Sequence, residues 1–86
     1  MLDIKIYKTT ICPYCVKAKA LLIKKGVAEN ITEIDISNNA ELKQEMLNAS
    51  GGRMTVPQIF INEKHIGGCD DLYALDAKGE LDALLG

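Results

Sequence analysis

The sequence predicts an α/β fold, a four-stranded mixed sheet flanked by three or four helices in the order β-α-β-α-β-β-α. Three observations predict it. A period-two apolar pattern near the N-terminus gives way within a few residues to helical spacing. A second strand and helix follow, and then two short apolar segments joined by Asn62-Glu63-Lys64 precede a last helical stretch. The 86 residues suffice for one domain, 1–86, with a single modest core.

In the first strand Leu2, Ile4 and Ile6 alternate with Asp3, Lys5 and Tyr7. The helix after Cys12 carries Val16, Ala20, Ile23 and Val27 at i, i+4, i+7 and i+11, the stripe expected to face the core, with Lys17, Lys24 and Lys25 in water and Gly26 as terminator. Thr32 to Ile36 reads as the second strand; the helix between the two makes a right-handed parallel crossover the default. Asn38 and Glu41 have capping-box spacing and open a helix whose Leu42, Met46 and Ala49 share a face, ended by Ser50-Gly51-Gly52. Gln58 to Ile61 and His65 to Gly67 form an antiparallel hairpin. Asp70 and Asp71 suit a helix N-terminus, Leu72 and Leu75 its buried face and Gly79 its end, with Leu81, Leu84 and Leu85 packing a last turn or short helix.

Composition narrows the function classes. A net charge of -2, scattered basic residues and four aromatics leave no electrostatic footprint for nucleic acid. The apolar run Ala20-Leu21-Leu22-Ile23 is too short to span a bilayer, and the N-terminal residues lack the apolar core of a signal peptide, so a cytoplasmic chain with no membrane partner is expected. Three cysteines, an odd number, argue against a secreted disulfide framework and for catalytic or metal use.

Cys12-Pro13-Tyr14-Cys15 carries that use, at the switch from strand to helix. A bridge closing four residues stabilises a fold by only about 2 kcal/mol before strain, which suits a redox switch better than a staple. At a helix entry Cys12 faces unpaired N–H groups and the positive end of the macrodipole, which favour thiolate and make it the nucleophile. Pro13 fits the first helical position, leaving the N–H groups of Tyr14 and Cys15 to point at the sulfur, and Cys15, one turn in, is the natural resolving thiol.

Cys-Pro-Tyr-Cys at 12–15, Thr55-Val56-Pro57 and Gly67-Gly68-Cys69-Asp70-Asp71 together resemble the dithiol glutaredoxins of small bacterial type, within the thioredoxin-like superfamily, along nearly the whole chain. The resemblance implies a thioredoxin-like fold, a cis Val56–Pro57 bond, and a glutathione-disulfide oxidoreductase that reduces protein disulfides and glutathione-mixed disulfides through Cys12 and Cys15. Glutathione is then reductant and co-substrate, with no metal expected. Its cysteinyl backbone would lie along Val56, flanked by Thr55 and Pro57, with its sulfur at Cys12. N–H groups near Gly68, Cys69 and Asp70 suit the γ-glutamyl carboxylate, Asp70 or Asp71 its ammonium, Arg53 the glycyl carboxylate, and Tyr14 covers the ligand. The family often has a lysine three residues before the nucleophile. Here that position is Thr9, with Lys8 one step earlier on the opposite side of an extended segment, so Lys8 is not assigned to the site.

Expected partners are glutathione and glutathionylated or disulfide-bonded proteins, with glutathione reductase and NADPH as an indirect recycling system; the chain is expected to act as a monomer. An alternative is a dimeric [2Fe-2S] carrier using Cys12 and glutathione, disfavoured by the absence of Cys-Gly-Phe-Ser. A zinc site from Cys12, Cys15, His65 and Cys69 has acceptable ligands without a familiar spacing. Otherwise Cys69 reads as a small residue packing at a helix start, His65 as a surface or edge residue, and Met46 and Met54 as packing residues.

Overall fold

A computed structural model describes residues 2–86; Met1, where the predicted domain begins, lies outside the described residues. The chain runs β1 (Ile4–Lys8), α1 (Pro13–Lys24), a 3-10 turn (Ala28–Asn30), β2 (Ile31–Asp35), α2 (Ala40–Ala49), β3 (Gln58–Ile61), β4 (Lys64–Gly67), α3 (Cys69–Ala77) and α4 (Leu81–Leu85). The sheet order is β2-β1-β3-β4, with β1 parallel to β2 and antiparallel to β3, and β3 antiparallel to β4. This is the predicted mixed sheet, with four α-helices around it.

Both faces of the sheet are covered. In β1 and β3 the register sets Ile4 against Ile61 and Ile6 against Ile59, and α1, α3 and α4 close over these isoleucines through Ala18, Leu21, Leu22, Cys69, Leu72 and Leu81. Tyr7 and Phe60 point to the other face, where Ile36 and Met46 of the α2 side meet them and the two rings pack edge to face, centroids 5.7 Å apart. Period two therefore accounts for both faces of β1, since Tyr7 sits on a second, smaller core rather than in water.

The α1 stripe is corrected. Val16 is 69% exposed and Ile23 49% exposed, and the helix instead buries Cys15, Ala18, Leu21 and Leu22. Apolar residues at 15, 16, 18 and 20–23 wrap most of the helix, so spacing alone does not select one face. Gly26 does end the segment, at φ +82 after the Lys25 cap. Lys25 is not simply in water; its ammonium pairs with Asp76 at 2.7 Å and Asp82 at 2.9 Å, joining α1 to α3 and α4.

Other boundaries move by a residue. β2 starts at Ile31, and Ile36 follows it as a buried residue of the smaller core. The α2 cap is Asn39, whose Oδ1 accepts from Leu42 N–H at 3.0 Å, while Asn38 takes φ +56; Glu41 therefore falls one position short of a capping box. Ala49 is exposed and Leu47 shares the partial burial with Leu42. In the hairpin Asn62 and Glu63 both have positive φ, the two-residue turn whose twist matches its strands, so β4 begins at Lys64.

Candidate active site

Cys12 is the N-cap of α1 and Pro13 its first residue, where a missing N–H leaves nothing unpaired. The Cys12 sulfur accepts from Cys15 N–H at 3.2 Å, and its carbonyl accepts from the N–H groups of Cys15 and Val16. No acidic side chain lies in the first turn to oppose negative charge on that sulfur. Both thiols are free, and Cys15 is buried. Burial, and then its hydrogen bond with Cys12, push the Cys15 thiol up to about 12. One sulfur is thus partly open at a helix start while the other is held as a thiol behind it.

The loop before Cys12 is tied to β2. Thr10 N–H donates to Ser37 Oγ at 2.9 Å and the Thr10 hydroxyl donates to Asp35 at 2.9 Å. Alongside, Glu33 joins Lys8 (3.3 Å) and Lys19 (2.9 Å), and these three side chains border a groove that contains Cys12, Cys15 and Val16.

Tyr14, Arg53, Thr55, Val56, Pro57, Gly68, Cys69, Asp70 and Asp71 line a second groove of about 240 Å3, whose lining includes Tyr14 between the two thiols but neither Cys12 nor Cys15. The residues predicted from three separated motifs are therefore neighbours in space. The Val56–Pro57 bond is cis. Val56 precedes β3, and among the described residues no protein group pairs with its N–H or C=O. Arg53 is set by Ser50, a buried residue at the end of α2 whose hydroxyl accepts from Arg53 N–H and donates to its carbonyl, each at 3.2 Å.

Gly68 caps α3, and its N–H donates to Asp71 Oδ2 at 2.8 Å; the same oxygen receives Arg53 Nη1 at 3.3 Å. The Gly68 N–H and then Arg53 hold the Asp71 carboxyl below its usual range against some loss of hydration. Asp71 is thereby committed to structure, and Asp70, exposed and in no ion pair among the described residues, is the freer carboxylate of the two. Cys69 is buried at the first position of α3, and burial raises its thiol above the ordinary cysteine range.

His65 lies on the edge strand β4, as expected, and its side chain is engaged there. Its Nε2 lies 2.7 Å from Gln58 Oε1 and its ring 5.0 Å from that of Phe60. Among the described residues no three His, Cys, Asp or Glu side chains gather as metal ligands, so the four proposed zinc donors do not converge. Met46 is fully buried as expected, whereas Met54 is 67% exposed. Sequence reasoning also missed Gln58, a polar residue with 0% exposure inside an apolar strand; the one signal was its place directly after Pro57.

The glutaredoxin family model matches residues 4–66, most of the chain. The chain belongs to the glutaredoxin family. This glutaredoxin is 58% identical over 85 residues to Glutaredoxin 3 of Escherichia coli, covering 99% of each chain. It is 55% identical to the glutaredoxin of Brucella melitensis, whose solution structure matches at a TM-score of 0.82 over 99% of this chain and 89% of that one. A buckwheat glutaredoxin–glutathione complex matches at a TM-score of 0.85 with 29% identity, over 98% of this chain and 76% of that one. Glutaredoxins are thiol–disulfide oxidoreductases that use glutathione as reductant and act on glutathionylated proteins. Among the described residues of this glutaredoxin no helix is long and apolar enough to cross a membrane.

Proposed function

We propose that this glutaredoxin is a glutathione-dependent enzyme that reduces protein disulfides and glutathione-mixed disulfides, with Cys12 as nucleophile and Cys15 as resolving thiol. The observation that carries the reading is the Cys12 sulfur at the start of α1, accepting the Cys15 N–H, next to a groove whose Val56 backbone is unpaired. An extended peptide with a free carboxylate at each end fits such a groove, and glutathione is one. Its cysteinyl N–H and C=O pair with Val56; Arg53 attracts the glycyl carboxylate; the α3 start and Asp70 take the γ-glutamyl end; Tyr14 covers it.

In the monothiol route the Cys12 thiolate attacks the glutathione sulfur of a mixed disulfide, and the protein leaves as thiolate and takes a proton. A second glutathione thiolate then attacks the sulfur of glutathione held on Cys12, releasing glutathione disulfide and the Cys12 thiolate. In the dithiol route Cys15 attacks the Cys12 sulfur of an enzyme–substrate disulfide, its proton passing to the departing thiolate, and two glutathiones later reopen the Cys12–Cys15 bond. A Cys15 thiol held near 12 does not compete with Cys12 for the first attack. Recycling by glutathione reductase and NADPH in the cytoplasm, and action as a monomeric domain spanning 1–86, complete the proposal.

NADPH consumption with glutathione, glutathione reductase and a glutathionylated peptide tests it. Wild type and Cys15→Ser should turn over and Cys12→Ser should not. Turnover by the Cys12 variant, or none by folded, reduced wild type, would overturn the assignment.

A further inference from the structure

Among the described residues Gln58 is the one fully buried residue whose side chain is polar, and the hydrogen bonds of its amide run to Thr55, which lines the groove, and to His65. Its Nε2 donates to the Thr55 carbonyl at 3.0 Å and to Thr55 Oγ1 at 3.2 Å, and its Oε1 lies 2.7 Å from His65 Nε2. These bonds define the amide's orientation. Turned over, its oxygen would face the Thr55 carbonyl and its NH2 the imidazole, so the arrangement requires His65 Nε2 to carry the hydrogen. Burial and the nearby Arg53 guanidinium lower the His65 pKa, against the pull of Asp71, which keeps the ring neutral.

The Thr55 carbonyl and the Val56 N–H belong to one planar peptide unit, and in a trans unit they point in opposite directions. The Thr55–Val56 bond is trans, the cis bond being the next one. Drawing the Thr55 oxygen inward onto Gln58 therefore aims the Val56 N–H outward, into the groove that both residues line. His65, packed on Phe60, holds the Gln58 oxygen from the far side and prevents the amide from turning.

We propose that Gln58 and His65 are positioning residues for glutathione, a buried relay that sets the direction of the Val56 backbone through the Thr55 carbonyl. This deepens the glutathione reading above and rests on it. Neither residue lines the groove, and the side chains of both hydrogen-bond to partners other than Cys12 and Cys15.

The test compares wild type, Gln58→Met and His65→Leu below their melting temperatures in the glutathione reductase assay, with the rate of iodoacetamide reaction at Cys12 as a second readout. Gln58→Met is expected to raise KM for a glutathionylated peptide about five- to tenfold, the equivalent of one lost neutral hydrogen bond, with kcat and Cys12 alkylation little changed. His65→Leu is expected to raise it by about two- to threefold, since the amide remains but is free to turn. A purely structural role would lower stability and leave KM of the folded enzyme unaltered, so unchanged KM in Gln58→Met overturns the proposal. Should Gln58→Met fail to fold, His65→Leu decides by the same criterion. Absence of wild-type turnover would overturn the glutathione reading and this proposal with it, whereas normal wild-type turnover with unchanged KM in the variants overturns the proposal alone.

Discussion

Gly67 and Gly68 are adjacent, and the structure predicts opposite tolerance of alanine at the two positions. At Gly67 φ is +121, and an added Cβ would fall 2.2 Å from Asp71 Oδ2 and 3.0 Å from Asp71 Cβ. The carboxylate can rotate away, but the Asp71 Cβ is fixed to the helix, so α3 itself must shift. Holding a non-glycine residue in that backbone region costs about 1–3 kcal/mol. Rotating Asp71 removes the carboxylate from Gly68 N–H, a capping loss of about 0.5–2 kcal/mol. The Arg53–Asp71 pair, with both side chains close to half exposed, adds little. The sum is about 1.5–5 kcal/mol, and for a domain of this size each kcal/mol is worth about 4–8 °C of melting temperature, so Gly67→Ala should melt at least about 6 °C lower. At Gly68 φ is -91, the Cβ meets Pro57 O at an ordinary 3.5 Å, and alanine should cost under about 1 kcal/mol. Calorimetry or urea unfolding of both variants measures the contrast. Repeating Gly67→Ala in an Asp71→Ala background isolates the share due to the carboxylate collision. Melting of Gly67→Ala within about 2 °C of Gly68→Ala would refute the reasoning.

A brief iodoacetamide pulse at pH 8 should modify Cys12 and spare Cys15, because a thiol raised from 9.0 to about 12 carries about three orders of magnitude less thiolate; modification of both at similar rates, read by mass spectrometry, would contradict the assignment. Since the folded-state value of Cys15 lies above the unfolded one, its contribution to stability is complete below pH 9 and is lost as pH rises toward 12, in the window where Tyr7, pushed up to about 12 by burial and then by Glu45, also loses its own. For Asp71 the sign reverses: the carboxyl is depressed below 3.8, so its contribution is complete above that value and is lost as pH falls further. Urea midpoints between pH 7 and 3 should therefore fall less steeply at the acid end in Asp71→Asn than in wild type, and parallel acid limbs would count against the cap.

The sheet was legible because its strands are short and their apolar residues either alternate or run unbroken, and because glycine or asparagine stands at every change of direction but the one from β1 into α1. The groove was legible because its residues, Arg53 apart, come in three contiguous motifs whose order resembles that of the glutaredoxins. The buried face of α1 was not, since apolar residues surround the helix and only the sheet decides that Ala18 rather than Ala20 faces inward. Asn38 and Asn39 are chemically equal as caps, and the choice falls to whichever backbone leaves β-region geometry for the residue before Ala40. Met54 is apolar and yet exposed because its loop is held by polar contacts at Ser50 and Thr55 rather than by its own side chain.

Three polar side chains that no motif singled out for this purpose hold the groove in shape. Ser50 fixes the Arg53 backbone, Gln58 the Thr55 carbonyl, and the Asp71 carboxylate the Gly68 N–H. Each acts on main-chain atoms, and each anchors a different segment, the end of α2, the strand entry at Pro57 and the start of α3. A ligand recognised largely through its own backbone and terminal carboxylates needs peptide groups at set positions more than particular side-chain chemistry. Substitutions on the rim, such as at Tyr14 or Asp70, therefore remove single contacts, whereas substitutions at these anchors move a whole segment of the groove at once. Sequence reading favours the rim because its residues sit in recognisable motifs. The anchors become visible only when chain segments far apart in sequence are brought within hydrogen-bond distance.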